Sequence, residues 1–112
     1  MEIKKWSVYL ADLNPRFGTE PGKTRPVVVV QTDLLNVRHP STIICPITTQ
    51  VEPESKILRV HLQKGEAGLG EKSDIMVDQI RAVDNRRFIK RLGALRRESQ
   101  KKLMGNLVII LN

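Results

Sequence analysis

Cysteine is nearly missing from this chain of 112 residues, where Cys45 stands alone. No intramolecular disulfide can form, so the fold needs no oxidising compartment. Histidine is scarce as well. His39 and His61 lie far apart, and neither has a partner ligand three or four residues away, so zinc-ligand spacing is absent. Aromatic residues make up only 4%, and Trp6 is the one tryptophan. The longest apolar runs, Val27–Val30 and Leu107–Leu111, fall far below the ~20 residues of a membrane-spanning helix. Met1 to Lys5 lead into Trp6 and a polar alternation, not an apolar signal core, so a cytoplasmic protein with no membrane partner is expected.

Acidic residues are also in short supply. Twelve Asp and Glu stand against nineteen Lys and Arg, a net charge of +7. A small basic chain suits a polyanionic partner: RNA, DNA, an acidic protein segment or an anionic membrane. Several common catalytic motifs are missing, namely the P-loop, a glycine-rich dinucleotide loop and a nucleophile elbow. Asp12, Asp33 and Asp78 could hold Mg²⁺ only if the fold gathered them, and their spacing does not ask for it. They are read as solvated carboxylates, and no metal or cofactor is expected. His39 and His61 could in principle act as acid and base, but partly exposed histidines without that role are the plainer reading.

What the chain does hold is an ordinary globular balance, 40% hydrophobic and 28% charged. Area scaling predicts a folded surface of roughly 6,200 Å² against roughly 18,400 Å² unfolded, enough burial for one small core. One domain spanning 1–112 is expected. Trp6, Val8 and Leu10 alternate with Ser7, Tyr9 and Ala11, the pattern of a half-buried strand. Asn14 to Thr24 is rich in turn formers and reads as a loop. Pro26 opens a run of four valines, a strand buried on both faces. Thr42 to Thr49 is a further strand in which Pro46 calls for a bulge or an edge. Shorter strands follow around Ile57–Leu62, Ile75–Val77, Ile80–Val83 and Leu92–Leu95, with a loop over 63–72 and a turn at Asp84-Asn85. Leu103, Leu107, Ile110 and Leu111 fall on one side of a helix running from about Arg97 to Leu111. Gly105 weakens that helix by roughly 1 kcal/mol unless close packing requires it. Several short strands and one terminal helix describe a mainly β, α+β fold, a small curved β-barrel with helical pieces appended.

Two features carry candidate chemistry. Residues 81–102 hold nine Lys and Arg against two acids, either a solvated face or one wall of a phosphate-tracking groove. Arg25 stands where the 14–24 loop enters the valine strand. There it is either a solvated strand-end arginine or an anchored guanidinium able to grip a phosphate with two hydrogen bonds.

Beyond these, Gly18-x-Glu20-x-Gly22-x-x-Arg25-Pro26-Val27-Val28 resembles the signature of the MazF/PemK ribonuclease toxins. Ile47-Thr48-Thr49, the run Asp78-Gln79-Ile80-Arg81-Ala82-Val83-Asp84, the opening Tyr9 to Pro15 and the terminal helix are similar too, in family order over nearly the whole chain. The resemblance implies an SH3-like barrel of the MazF/PemK/CcdB type, paired as a homodimer. It implies sequence-selective, metal-independent cleavage of single-stranded RNA, mRNA included, to 2′,3′-cyclic phosphate and 5′-hydroxyl ends. The family's catalytic arginine and threonine fall on Arg25 and Thr48. RNA-contacting positions fall on Phe17, Glu20, Thr49 and Gln79, although Phe17 could equally be tucked against the core. The implied partner is an antitoxin whose acidic C-terminal segment covers the RNA groove. Thr49, Asp78 and Arg96 depart from the family's usual small residue, glutamate and helix-capping residue. The alternative is a non-enzymatic protein on the same fold, a nucleic-acid-binding module or a gyrase poison of the CcdB type. The latter relies on a tryptophan near its C-terminus, whereas Trp6 is the only one here.

Overall fold

The computed structural model describes residues 1–36 and 38–112. Seven strands and two helices follow in the order β1 (Ser7–Asp12), β2 (Thr24–Val29), α1 (Asp33–Asn36), β3 (Ser41–Thr48), β4 (Arg59–Leu62), β5 (Ser73–Met76), β6 (Arg81–Asp84), β7 (Phe88–Ala94) and α2 (Arg97–Leu111). Every strand pair is antiparallel, and the sheet runs β4-β5-β3-β2-β1-β7, with β6 also on β3. The expected mainly β fold with a C-terminal helix is therefore present, but the sheet does not close into a true barrel. Among the described residues, β4 and β7 are not joined by a ladder. A 3₁₀ turn at Glu66–Gly68, which follows β4, packs on β7 instead. Gly68 sits at φ +75, and a Cβ there would lie 2.2 Å from the Leu92 carbonyl oxygen, so only glycine fits this contact.

β3 is the hinge of the architecture. One edge pairs β2 at Ile44, Cys45 and Pro46. The other pairs β6 over Ser41–Ile44 and then β5 over Ile47–Thr48. Pro46 falls in the gap where this second edge changes partner, a place where no ladder donor is needed. This explains how a proline is carried within an eight-residue strand.

The valine run splits as expected. Val28 and Val30 join Val8, Cys45, Ile47, Ile75, Leu103 and Leu107 in one apolar cluster. Val27 and Val29 join Tyr9, Leu13, Ile44 and Phe88 in a second, across the sheet. For the same reason β1 is not half-buried as its alternation suggested: Val8 faces the first cluster while Tyr9 and Ala11 fill the second, all fully buried. The Tyr9 hydroxyl donates to the Glu2 carbonyl at 2.9 Å, and its ring meets Phe88 edge-on at 5.2 Å. The chain's accessible surface is 6777 Å².

The helix α2 has the extent its periodicity predicted, and Leu103 and Leu107 are buried. Leu111 is not on the packed side. It is 67% exposed, because the helix runs past the edge of the core. Nothing lies within 4 Å of where a Gly105 Cβ would stand, so close packing does not require that glycine. Ile57 and Leu58 are exposed, and β4 begins only at Arg59. The strand at the end of the chain is longer than its weak signal, spanning Phe88–Ala94.

Candidate functional site

The ends of β2 and β3 converge with the 14–24 loop and the 69–73 segment around an open groove of about 690 Å³. Strand order explains the convergence. β2 and β3 are neighbours, so Arg25 at the start of one and Thr48 at the end of the other lie at the same end of the sheet. Both line the groove, with Thr49, Gln50, Arg16, Lys23, Glu71 and Ser73 among the polar groups beside them.

Arg25 is anchored by backbone carbonyls. Its Nε donates to the Gly22 carbonyl at 3.1 Å and its Nη1 to the Ile47 carbonyl at 3.4 Å. Among the described residues Nη2 has no protein partner. Burial, and then the nearby Arg16 charge, lower the Arg25 pKa from its usual value. Both effects destabilise the cation, and an anion in the groove would relieve both. Thr48 is half-buried, and its Oγ1 accepts a hydrogen bond from the Gln50 backbone N–H at 3.1 Å. The hydroxyl proton thus remains available for a ligand.

The loop that positions Arg25 is held at both ends. Leu13 N–H donates to the Lys23 carbonyl at 2.9 Å, and Lys23 N–H to Asn14 Oδ1 at 2.7 Å. Arg87 Nη1 reaches across from the β6–β7 turn to the Asp12 and Asn14 carbonyls. Gly22 is buried, and a Cβ there would stand 2.5 Å from Arg16 Cβ, so its small size lets the two limbs of the loop pack together.

Of the six residues singled out from the sequence, Arg25, Thr48 and Thr49 come together in the groove. Phe17 and Glu20 lie outside its lining on the exposed loop, Phe17 being 69% exposed and not tucked against the core. Gln79 is on the 3₁₀ turn Val77–Gln79, half-buried and also outside the lining. None of the nine cations in 81–102 lines the groove. Arg86 pairs with Asp84 and Arg96 with Glu66. The groove's positive charge comes instead from Arg16, Lys23 and Arg25.

Sequence reasoning missed Arg16, Lys23, Gln50 and Glu71, whose convergence depends on the loop path and the β3–β5 pairing. Neither His39 nor His61 lines the groove. Among the described residues no three His, Cys, Asp or Glu side chains gather as a metal site would need. No described helix is long and apolar enough to cross a membrane.

Comparison with known proteins matches residues 4–111 to the family described as PemK-like, MazF-like toxin of type II toxin-antitoxin system. The chain is 34% identical over 103 residues to Endoribonuclease EndoA of Bacillus subtilis (strain 168), covering 92% of this chain and 89% of that protein. Its fold is similar to that of MazF from Deinococcus radiodurans, with a TM-score of 0.85 at 21% identity over 99% and 97% of the two chains. It is also similar to a mycobacterial endoribonuclease in complex with its cognate antitoxin, with a TM-score of 0.76 at 16% identity over 98% and 93%. From the family match over nearly its whole length and the 34% identity, the chain belongs to the PemK-like, MazF-like toxins of type II toxin–antitoxin systems.

Proposed function

We propose that this protein is an endoribonuclease that cuts single-stranded RNA, mRNA included, in the groove between the 14–24 loop and the end of β3. Cleavage is sequence-selective and metal-independent. The observation that carries this reading is the anchored, partly buried Arg25 guanidinium lining the same groove as the Thr48 hydroxyl. The similarity to EndoA, an endoribonuclease by name, supports it.

In the proposed reaction the ribose 2′-oxygen attacks the adjacent phosphorus, the P–O2′ bond forms and the P–O5′ bond breaks. The phosphorane between them carries extra negative charge. Arg25 offsets that charge from a position already fixed before substrate arrives, a contribution of roughly 3–4 kcal/mol for one preorganised donor. It also donates a proton to the departing 5′-oxygen. Thr48 donates to a non-bridging oxygen and holds the phosphate in line. The 2′-hydroxyl proton passes to water, to a carboxylate or to a substrate phosphate oxygen. Glu20 is a carboxylate on the 14–24 loop, while Glu71 is the carboxylate lining the groove. The products carry 2′,3′-cyclic phosphate and 5′-hydroxyl ends. Phe17 offers a stacking surface for an unpaired base, and Glu20, Thr49 and Gln79 read or orient neighbouring nucleotides.

The protein acts as a homodimer, and an antitoxin with an acidic C-terminal segment neutralises it by occupying the basic groove. The test is incubation with a long single-stranded RNA in EDTA. Wild type produces discrete fragments, while Arg25→Ala loses about a hundred- to a thousandfold in rate. Thr48→Ala loses roughly ten- to a hundredfold. RNA left whole by wild type in several sequence contexts would sink the reading; undiminished cleavage by both variants would move the site elsewhere.

A further inference from the structure

Behind the groove wall lies a polar cluster that the proposed reaction does not use. The Asp74 side chain is fully buried, and Asp74 sits directly opposite Thr48 in the β3–β5 ladder. Its Oδ1 is 2.6 Å from His61 Nδ1. Its Oδ2 accepts from the Glu52 backbone N–H at 2.8 Å and from Arg59 Nη1 at 3.1 Å. Arg59 Nη1 also donates to the Gln50 carbonyl at 3.0 Å, and Nη2 to Glu52 Oε2 at 2.9 Å. His61 Nε2 lies 3.1 Å from the Ser55 carbonyl.

These bonds seize the chain that follows Thr48 at Gln50, Glu52 and Ser55. Gln50 in turn donates its N–H to Thr48 Oγ1 at 3.1 Å. Apolar side chains of similar volume could join β4 to β5 without the cost of burying charges. They could not hold a backbone carbonyl and a backbone amide in fixed directions, which this cluster does. Neither Arg59, His61 nor Asp74 lines the groove.

We infer that Arg59 and Asp74 are positioning residues: they fix the 50–52 segment, and through the Gln50 amide they fix the direction in which the Thr48 hydroxyl donates. The inference rests on the ribonuclease reading of the groove. When Thr48 Oγ1 accepts from Gln50, its proton must point away from that amide, toward the groove. When residue 50 is loose, the hydroxyl rotates freely and in-line alignment is lost for a fraction of encounters.

The test uses the full chain and its Arg59→Ala and Arg59→Lys variants. It measures kcat and KM on a single-stranded RNA, melting temperature, and backbone amide exchange. Arg59→Ala is expected to lower kcat about ten- to a hundredfold while KM stays within about threefold. The Gln50 and Glu52 amides should exchange about tenfold faster while that of Val28 is unchanged. Arg59→Lys, able to restore one bond but not the fork, should recover part of kcat. Unchanged kcat with faster exchange at 50 and 52 would overturn the inference. So would faster exchange throughout the sheet with a lowered melting temperature, since the cluster would then be merely structural. Wild-type protein that cleaves no RNA would overturn both the ribonuclease reading and the positioning role; the exchange rates would still report whether Arg59 holds the segment.

Discussion

At the scale of single residues, environment decides what each reactive group can do. Cys45 is the one thiol, yet burial, and secondarily Asp78, push its pKa up to about 12. It is predicted to stay a neutral thiol and resist alkylation in the folded protein at pH 8, reacting only as denaturant opens the core. Labelling at native rates matching those of the unfolded chain would contradict its fully buried position in the first cluster. The sign of its linkage follows. A raised folded pKa favours the native state below the unfolded value of 9.0, and that preference is lost as pH rises toward 12. Arg25 differs because its cation is held by two carbonyls at the mouth of a groove, where an anion can reach it. Its position between a turn-rich loop and a valine strand was readable from the chain. Arg16, Lys23 and Glu71 were not, because nothing local distinguishes a groove-lining charge from a solvated one. The basic run over 81–102 shows the converse: its charge density is high, but none of its members lines the groove.

At the scale of elements, hydrophobic period located the strands and the helix, while contacts between elements set their limits. The α2 span of Arg97–Leu111 followed from its own repeat. The burial of β1 on both faces did not, since it requires Phe88 and Leu13 on one side and the helix cluster on the other. The late start of β4 at Arg59 likewise reflects pairing with β5, not the apolarity of Ile57 and Leu58. The short helix Asp33–Asn36 had no periodic signal to give it away. The β6–β7 junction provides a test at this scale. Asp84 caps the 3₁₀ turn Asn85–Arg87, and the Arg86 side chain and then the Arg86 backbone N–H hold its pKa down to about 2 from 3.8. A depressed carboxylate stabilises the fold above the unfolded value and ceases to do so as pH falls through the folded one. Asp84→Asn should therefore be less stable than wild type at neutral pH. The gap should close between about pH 4 and pH 2, as read from melting temperatures across an acid series. A gap that persisted unchanged at pH 2 would point to shape, not charge.

At the scale of the molecule, an open sheet brings one end of β2, one end of β3 and a tethered loop around a single groove, and the net charge of +7 suits a polyanion entering it. In the proposed reaction the 2′-hydroxyl of the substrate, not water, attacks the phosphorus, with Arg25 and Thr48 stabilising what forms. The most direct measurement is mass spectrometry of the RNA ends released by wild-type protein in EDTA. Fragments ending in 2′,3′-cyclic phosphate, with 5′-hydroxyls on their neighbours, are the predicted result. Fragments with 3′-hydroxyl and 5′-phosphate ends would mean that water is the nucleophile and would contradict the account.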